Sequence, residues 1–208
     1  MKIIDLTHLF GKDTPSYPGD PRTRLSQIKS LERDGYNLNL IYTSMHTGTH
    51  IDMPSHMIAD DRLAERFEPE LFIGSGVLLD VRNQNPIGMR KDYEKRIKKG
   101  DIVLLYTGFD KWYKNPDIYF ERHPTVDETL ADFLIASEIK MLGLDMPAPD
   151  HPPFSVHKKL LTAGIFILEN LTGLERLNGV GEFEVIALPL KIEAEASLVR
   201  AVARTMLK

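Results

Sequence analysis

Cysteine is absent from the 208 residues. That excludes disulfides, thiolate zinc sites, iron–sulfur ligation and a cysteine nucleophile together. A secreted chain of this size more often carries a disulfide, so a cytoplasmic setting is the expectation. Basic residues give no excess: 26 Lys and Arg stand against 30 Asp and Glu, for a formal net charge of -4. A nucleic-acid-binding face needs the opposite balance, so no nucleic-acid partner is expected. Long apolar runs are missing too. The longest, near Leu71–Leu79, is broken by Gly74, Ser75 and Gly76, whereas a membrane helix needs roughly 20 apolar residues. Asp5, Thr7 and His8 interrupt any signal-peptide core in Met1–Phe10, and no membrane partner is expected. Gly74-Ser75-Gly76 lacks the G-x-S-x-G spacing of a serine-hydrolase elbow. Neither a dinucleotide fingerprint nor a phosphate-loop lysine is present.

What remains is a globular composition, with 42% hydrophobic and 27% charged residues. The length suits a single domain over residues 1–208. Strand-like and helix-like segments alternate along it. Ile3–Leu6 reads as a short strand, and Asp13–Pro21, with three prolines and a glycine, as a loop. Tyr36, Leu38, Leu40 and Tyr42 alternate with Asn37, Asn39, Ile41 and Thr43 and predict a half-buried strand. Val77–Val81 and Ile102–Tyr106 are runs of buried-strand type, with a charged helix expected between them over Met89–Lys98. Thr125 and Glu128 have capping-box spacing, which predicts a helix from there to about Ile139. Met141–Asp145 and Ile165–Leu168 read as strands ending in Asp145 and Glu169. Between them Ser155 can cap a short helix closed by Gly164. Val185–Leu190 reads as a further strand, and Ser197–Met206 is open between strand and helix. The sum is a mixed α/β domain.

The chemistry is concentrated in His46-Thr-Gly-Thr-His50-Ile-Asp52-Met-Pro-Ser-His56, which holds three of the seven histidines. Imidazole and carboxylate are the zinc, manganese or iron ligands left when thiols are absent. A helix would put His46 and His50 on one face but turn Asp52 roughly 120–160° away, and Gly48 and Pro54 oppose a helix interior. In an extended chain the even-numbered positions share a side, and His50 and Asp52 stand about 6.6 Å apart. His46 and His50 would then be about 13 Å apart, too far for one ion. A bend is needed, and Gly48 permits it. The expectation is a facial His46/His50/Asp52 metal site with His56 one step beyond it. A polar loop with surface histidines is the alternative. His157, in the first turn of a short helix, and Glu169, at the edge of a core, form a second set. A buried carboxylate needs a partner or a cation, although Glu169 can equally be a solvated strand end or a partner of Lys158 or Lys159. Asp145 and Asp150 bracket a proline-rich loop and can line a site or form turns. His8, His123 and His151 read as ordinary polar residues.

The His46–His56 stretch resembles the H-x-G-T-H-x-D-x-P-x-H signature of the cyclase family of metal-dependent hydrolases, which includes bacterial-type kynurenine formamidase and isatin hydrolase. The resemblance covers most of the chain. It extends to Tyr17-Pro-Gly-Asp20, Leu105-Tyr-Thr-Gly108, Gly143-Leu-Asp145, the His157–Glu169 separation, and Ala187-Leu-Pro-Leu-Lys191 followed by Ser197 and Arg200. It implies a swivelling β/β/α fold, a homodimer with sites near the interface, and a site of one or two divalent ions, zinc or alternatively manganese. His46 and His50 would bind the first ion, Asp52 and Glu169 would bridge, and His157 would bind the second. His56 matches the acid/base histidine. Tyr17 stands where kynurenine formamidases commonly have Trp, a position that stacks on the aromatic substrate, and Phe109 is expected to complete an apolar wall. The implied activity is hydrolysis of N-formylkynurenine to kynurenine and formate. The alternatives are another cyclic or aryl amide such as isatin, or a catalytically idle metal-binding domain.

Overall fold

The computed structural model describes residues 1–205. Its strands are β1 (Lys2–Asp5), β2 (Arg24–Lys29), β3 (Leu38–Tyr42), β4 (His50–Asp52), β5 (Ile73–Asp80), β6 (Ile102–Tyr106), β7 (Met141–Leu144), β8 (Phe166–Glu169), β9 (Phe183–Ile186), β10 (Ala196–Leu198) and β11 (Val202–Thr205). The helices are α1 (Leu31–Asp34), α2 (Tyr93–Arg96), α3 (Pro116–Tyr119), α4 (Glu128–Ala136) and α5 (Ser155–Thr162). No helix among the described residues is long and apolar enough to cross a membrane.

Nine strands form one sheet in the order β1-β11-β9-β5-β6-β7-β8-β4-β10, while β2 and β3 pair only with each other. The centre, β5 to β8, is parallel, and both flanks are antiparallel. β5 changes partner midway: Ile73–Ser75 pair with β9 and Gly76–Asp80 with β6. The sheet thereby curls into a half-barrel flanked by helices, a mixed α/β fold. β6 shows why its sequence is apolar at every position. Ile102 and Leu104 enter the core inside the curl with Ile4, Ile51 and Leu168. Val103 and Leu105 enter the core on the other face, under Leu130 and Leu134 of α4 and Leu160 of α5. A strand covered on both faces has no solvent side to encode.

Several sequence expectations shift. The segment Met89–Lys98 contains only the single turn of α2, because Tyr93 and Ile97 are its only fully buried side chains and offer no apolar stripe. The cap of α4 is Asp127, whose side chain accepts from the Leu130 N–H, not Thr125. The helix ends before Ile139 because Glu138 turns left-handed. Ser155 is the first residue of α5 rather than its cap, and Phe154 holds the cap position. The strand expected at Val185–Leu190 stops at Ile186. The ambiguous Ser197–Met206 resolves into β10 and β11 as far as Thr205, and Met206 lies outside the described residues. The strand expected around Tyr36–Tyr42 is present as β3, but all five of its residues are exposed rather than alternately buried.

Candidate metal centre

β4 is hydrogen-bonded on both sides, to β8 and to β10. Alternation along it sends Ile51 into the core within the curl and turns His50 and Asp52 to the opposite face. Register supplies the next group: Glu169 lies directly across from His50. His157, in the first turn of α5, is brought over the same face. Its Nε2 lies 3.1 Å from Asp52 Oδ2 and its Nδ1 4.0 Å from Glu169 Oε1. Asp150 anchors that turn by accepting from the Val156 N–H at 2.8 Å.

His46 reaches the cluster through the bend expected at Gly48, which has φ +77. A Cβ there would stand 3.0 Å from Phe10 Cδ2. The bend brings the His46 and His50 rings to 5.1 Å between centroids. His46 Nδ1 is 2.9 Å from Asp52 Oδ1, and His50 Nε2 is 3.3 Å from the same oxygen and 3.4 Å from Glu169 Oε2. The three side chains therefore converge. His56 differs from its expected place. Pro54–His56 forms a 3-10 turn rather than extended chain, which folds His56 back until its ring is 4.0 Å from that of His46. Ligand atoms of His46, Asp52 and His56 lie within 4.8 Å of one another, as do those of His50, Asp52 and Glu169. Asp52 belongs to both groups.

Four polar atoms of this cluster are buried without a hydrogen-bond partner: His50 Nε2, Asp52 Oδ1, His157 Nδ1 and Glu169 Oε1. Such atoms are costly unless something compensates them, and a nitrogen and oxygen set of this kind suits a divalent cation. The charges agree. Burial opposes protonation of His46 and His50, yet the Asp52 carboxylate outweighs it and raises them to about 9 and about 10. Burial acts to raise Asp52, but the facing charges of His46 and His50 hold it well below the usual carboxylate range. Glu169 is pushed up, first by burial and then by the Asp52 charge. Without an ion, protons supply the positive charge between these carboxylates. Burial pushes His56 down to about 4, so it is neutral near pH 7.

The Cyclase family model matches residues 4–151, a stretch that includes His46, His50, Asp52 and His56. The chain belongs to the cyclase family. Its relatives in that family extend over the whole length. The chain is 35% identical over 206 residues to Uncharacterized protein MJ0783 of Methanocaldococcus jannaschii, covering 98% of this chain and 99% of that protein. It is 32% identical over 210 residues to the kynurenine formamidase of Bacillus anthracis, covering 98% of this chain and 97% of the relative. Isatin hydrolase A from Labrenzia aggregata, bound to benzyl benzoate, superposes with a TM-score of 0.87 at 26% identity, over 99% of this chain and 94% of that one. A solved structure named as a potential metal-dependent hydrolase with cyclase activity gives 0.78 at 26% identity, over 100% and 99%. The half-barrel is thus the cyclase-family fold.

Beside this cyclase-family cluster lies a cavity of about 230 Å³, with His46, His56, His157 and Glu169 in its wall. Tyr17, Phe120 and Phe154 supply its aromatic surface, and Tyr17 meets Phe120 edge-on at 5.5 Å. Phe109, the other aromatic singled out in the sequence, lies outside this lining and stacks on Tyr119 at 5.9 Å. Phe120 and Phe154 went unnoticed because neither sits in a patterned segment, and the Phe154 backbone is left-handed at φ 61. Glu195, whose Oε1 is 3.2 Å from His46 Nε2, and Asn170, in the cavity wall, were also missed. Glu195 carries no local motif, whereas Asn170 could be suspected only from following Glu169. Asp145 accepts from the Thr107 N–H and hydroxyl and from the Gly108 N–H, tying the ends of β6 and β7. Arg200 pairs with Asp5.

Proposed function

We propose that this cyclase-family protein is a divalent-metal-dependent hydrolase of small cyclic or aryl amides, and that a five-membered cyclic amide of the isatin type is its substrate. The observation that carries the reading is the buried, unpartnered donor set opening onto an aromatic-walled cavity. His46, His50, Asp52, Glu169 and His157 would hold zinc, with manganese as the other ion their nitrogens and oxygens suit. When bound, such an ion acidifies water toward a pKa of about 7 and polarises a carbonyl.

The chain's own residues supply the rest. Tyr17, Phe120 and Phe154 offer ring faces and edges to a flat aryl group and exclude water around it. His56, neutral near pH 7 and open to the cavity, would take the proton that the attacking water loses and pass it to the amide nitrogen as the C–N bond breaks. That transfer is worth roughly 10²–10⁴-fold.

N-formylkynurenine is the second reading, supported by the 32% identity to kynurenine formamidase over nearly the whole of both chains. The isatin reading is supported by the TM-score of 0.87 to isatin hydrolase A. Metal analysis of purified protein, followed by assays on isatin and on N-formylkynurenine, separates them. Ring opening of isatin with no release of formate from N-formylkynurenine is expected, and the reverse pattern would replace the first reading by the second. A homodimer fits the same picture. The hairpin of β2 and β3 exposes Leu25, Ile28, Leu40, Ile41 and Tyr42, and β3 leads directly into the segment that carries His46. Light scattering on the purified chain tests it.

A further inference from the structure

Asn170 follows Glu169 immediately. It is buried, yet its backbone is left-handed at φ 56, a conformation that costs a non-glycine residue energy. Each of its polar groups is engaged. Its N–H donates to the Met146 carbonyl at 3.2 Å, and its own carbonyl accepts from Thr49 Oγ1 at 2.6 Å. The side-chain Oδ1 accepts from the Tyr119 hydroxyl at 2.8 Å, and Nδ2 donates to the Gly48 carbonyl at 2.9 Å. The reversed amide would set its oxygen against the Gly48 oxygen; Nδ2 also stands 3.3 Å from His50 Nδ1, a longer contact than the 2.9 and 2.8 Å that the two nitrogens keep to that oxygen, so both are assigned as donors to it.

The Gly48 carbonyl has a second donor. His50 Nδ1 lies 2.8 Å from it. A carbonyl only accepts, so this contact puts a neutral His50's proton on Nδ1 and leaves the lone pair on Nε2. Nε2 is the atom that faces Asp52 Oδ1 at 3.3 Å and Glu169 Oε2 at 3.4 Å. Asn170 and His50 thus hold one carbonyl between them, at the bend that also delivers His46.

We propose that Asn170 is a positioning residue for the metal centre: its amide fixes the Gly48 carbonyl, and through it the His50 tautomer that presents Nε2 as a ligand. The inference rests on the metal reading above. It also gives Tyr119 a part, because that hydroxyl orients the amide while touching no ligand.

The test uses the full chain, stripped with a chelator and reloaded with Zn²⁺ or Co²⁺. Asn170→Gly permits the left-handed backbone and deletes the amide. Zinc affinity, measured by competition with a chromophoric chelator, is expected to fall about 10–100-fold, with a changed visible spectrum of the Co²⁺ form. Asn170→Ala should show the same loss together with a lower melting temperature, because alanine pays for the positive φ. Tyr119→Phe should weaken zinc binding in the same direction by a smaller factor. Unaltered zinc affinity and an unaltered Co²⁺ spectrum in Asn170→Gly would overturn the proposal while leaving the metal reading intact. Failure of the unsubstituted chain to bind either ion would overturn both.

Discussion

Strands β3 and β4 are consecutive in the chain and end in opposite circumstances. β4 lies between two partners, and all three of its residues are buried, including the charged ones. Among the described residues β3 pairs with β2 alone, and Leu40 is 57% and Ile41 49% exposed. Hydropathy alone would place them the other way round. The difference teaches that burial here follows strand pairing rather than hydropathy. The buried His50 and Asp52 of β4 belong to a nitrogen and oxygen set capable of holding a divalent cation. The exposed apolar residues of β3 sit on a two-stranded ribbon, a unit that is marginal alone in water.

The sharpest way to break this comparison is at Asp52, which both candidate ligand groups share. Asp52→Ala is expected to lose bound metal and all measurable turnover together, as read by elemental analysis and a steady-state assay. His56→Ala should keep its metal and lose roughly 10²–10⁴-fold in turnover. An empty site in that variant would make His56 a ligand, a role its proximity to His46 and Asp52 makes geometrically open. A smaller effect is expected from Gly48→Ala, where φ +77 and the Phe10 ring at 3.0 Å both resist a Cβ. A left-handed alanine costs about 1–2 kcal/mol, measurable by denaturant unfolding, and the bend that carries His46 should loosen its hold on metal.

Acidity gives a further test of β4. With metal removed, burial acts to lower the pKa values of His46 and His50, but Asp52, helped by Glu195 and Glu169, raises them from 6.5 to about 9 and about 10. Groups raised on folding stabilise the native state fully below the unfolded value and lose that contribution as pH climbs through the folded one. The melting temperature of chelator-treated protein should therefore fall between pH 6.5 and about 10, while metal-loaded protein, whose ion replaces those protons, should fall less. Identical profiles with and without metal would separate the ion from these ligands. The mildest effect belongs to the hairpin. Leu40→Ser should leave metal content unchanged and unfolding within about 0.5 kcal/mol, but should shift the mass seen by light scattering if β3 is an interface.

How much of this the sequence carried depends on where the cause lies. The parallel centre was legible because strands covered on both faces have apolar residues at every position, as in Ile102–Tyr106. The His46, His50 and Asp52 convergence was legible because period two and one glycine bend suffice to build it. His56 was misplaced because Pro54–His56 forms a turn that the even-number pattern ignores. Glu195 and the Asn170 clamp were invisible because β10 and β8 reach β4 only through long-range register. The burial of β3 was overestimated because alternation reports which face is apolar, not whether anything lies against it.

The pairing of β4 has one more consequence. Its hydrogen-bonded neighbours, β8 and β10, both lie far downstream of it in sequence. Pairing over such separations must first close long loops, so the slot that holds His50 and Asp52 is a slow, non-local step of folding.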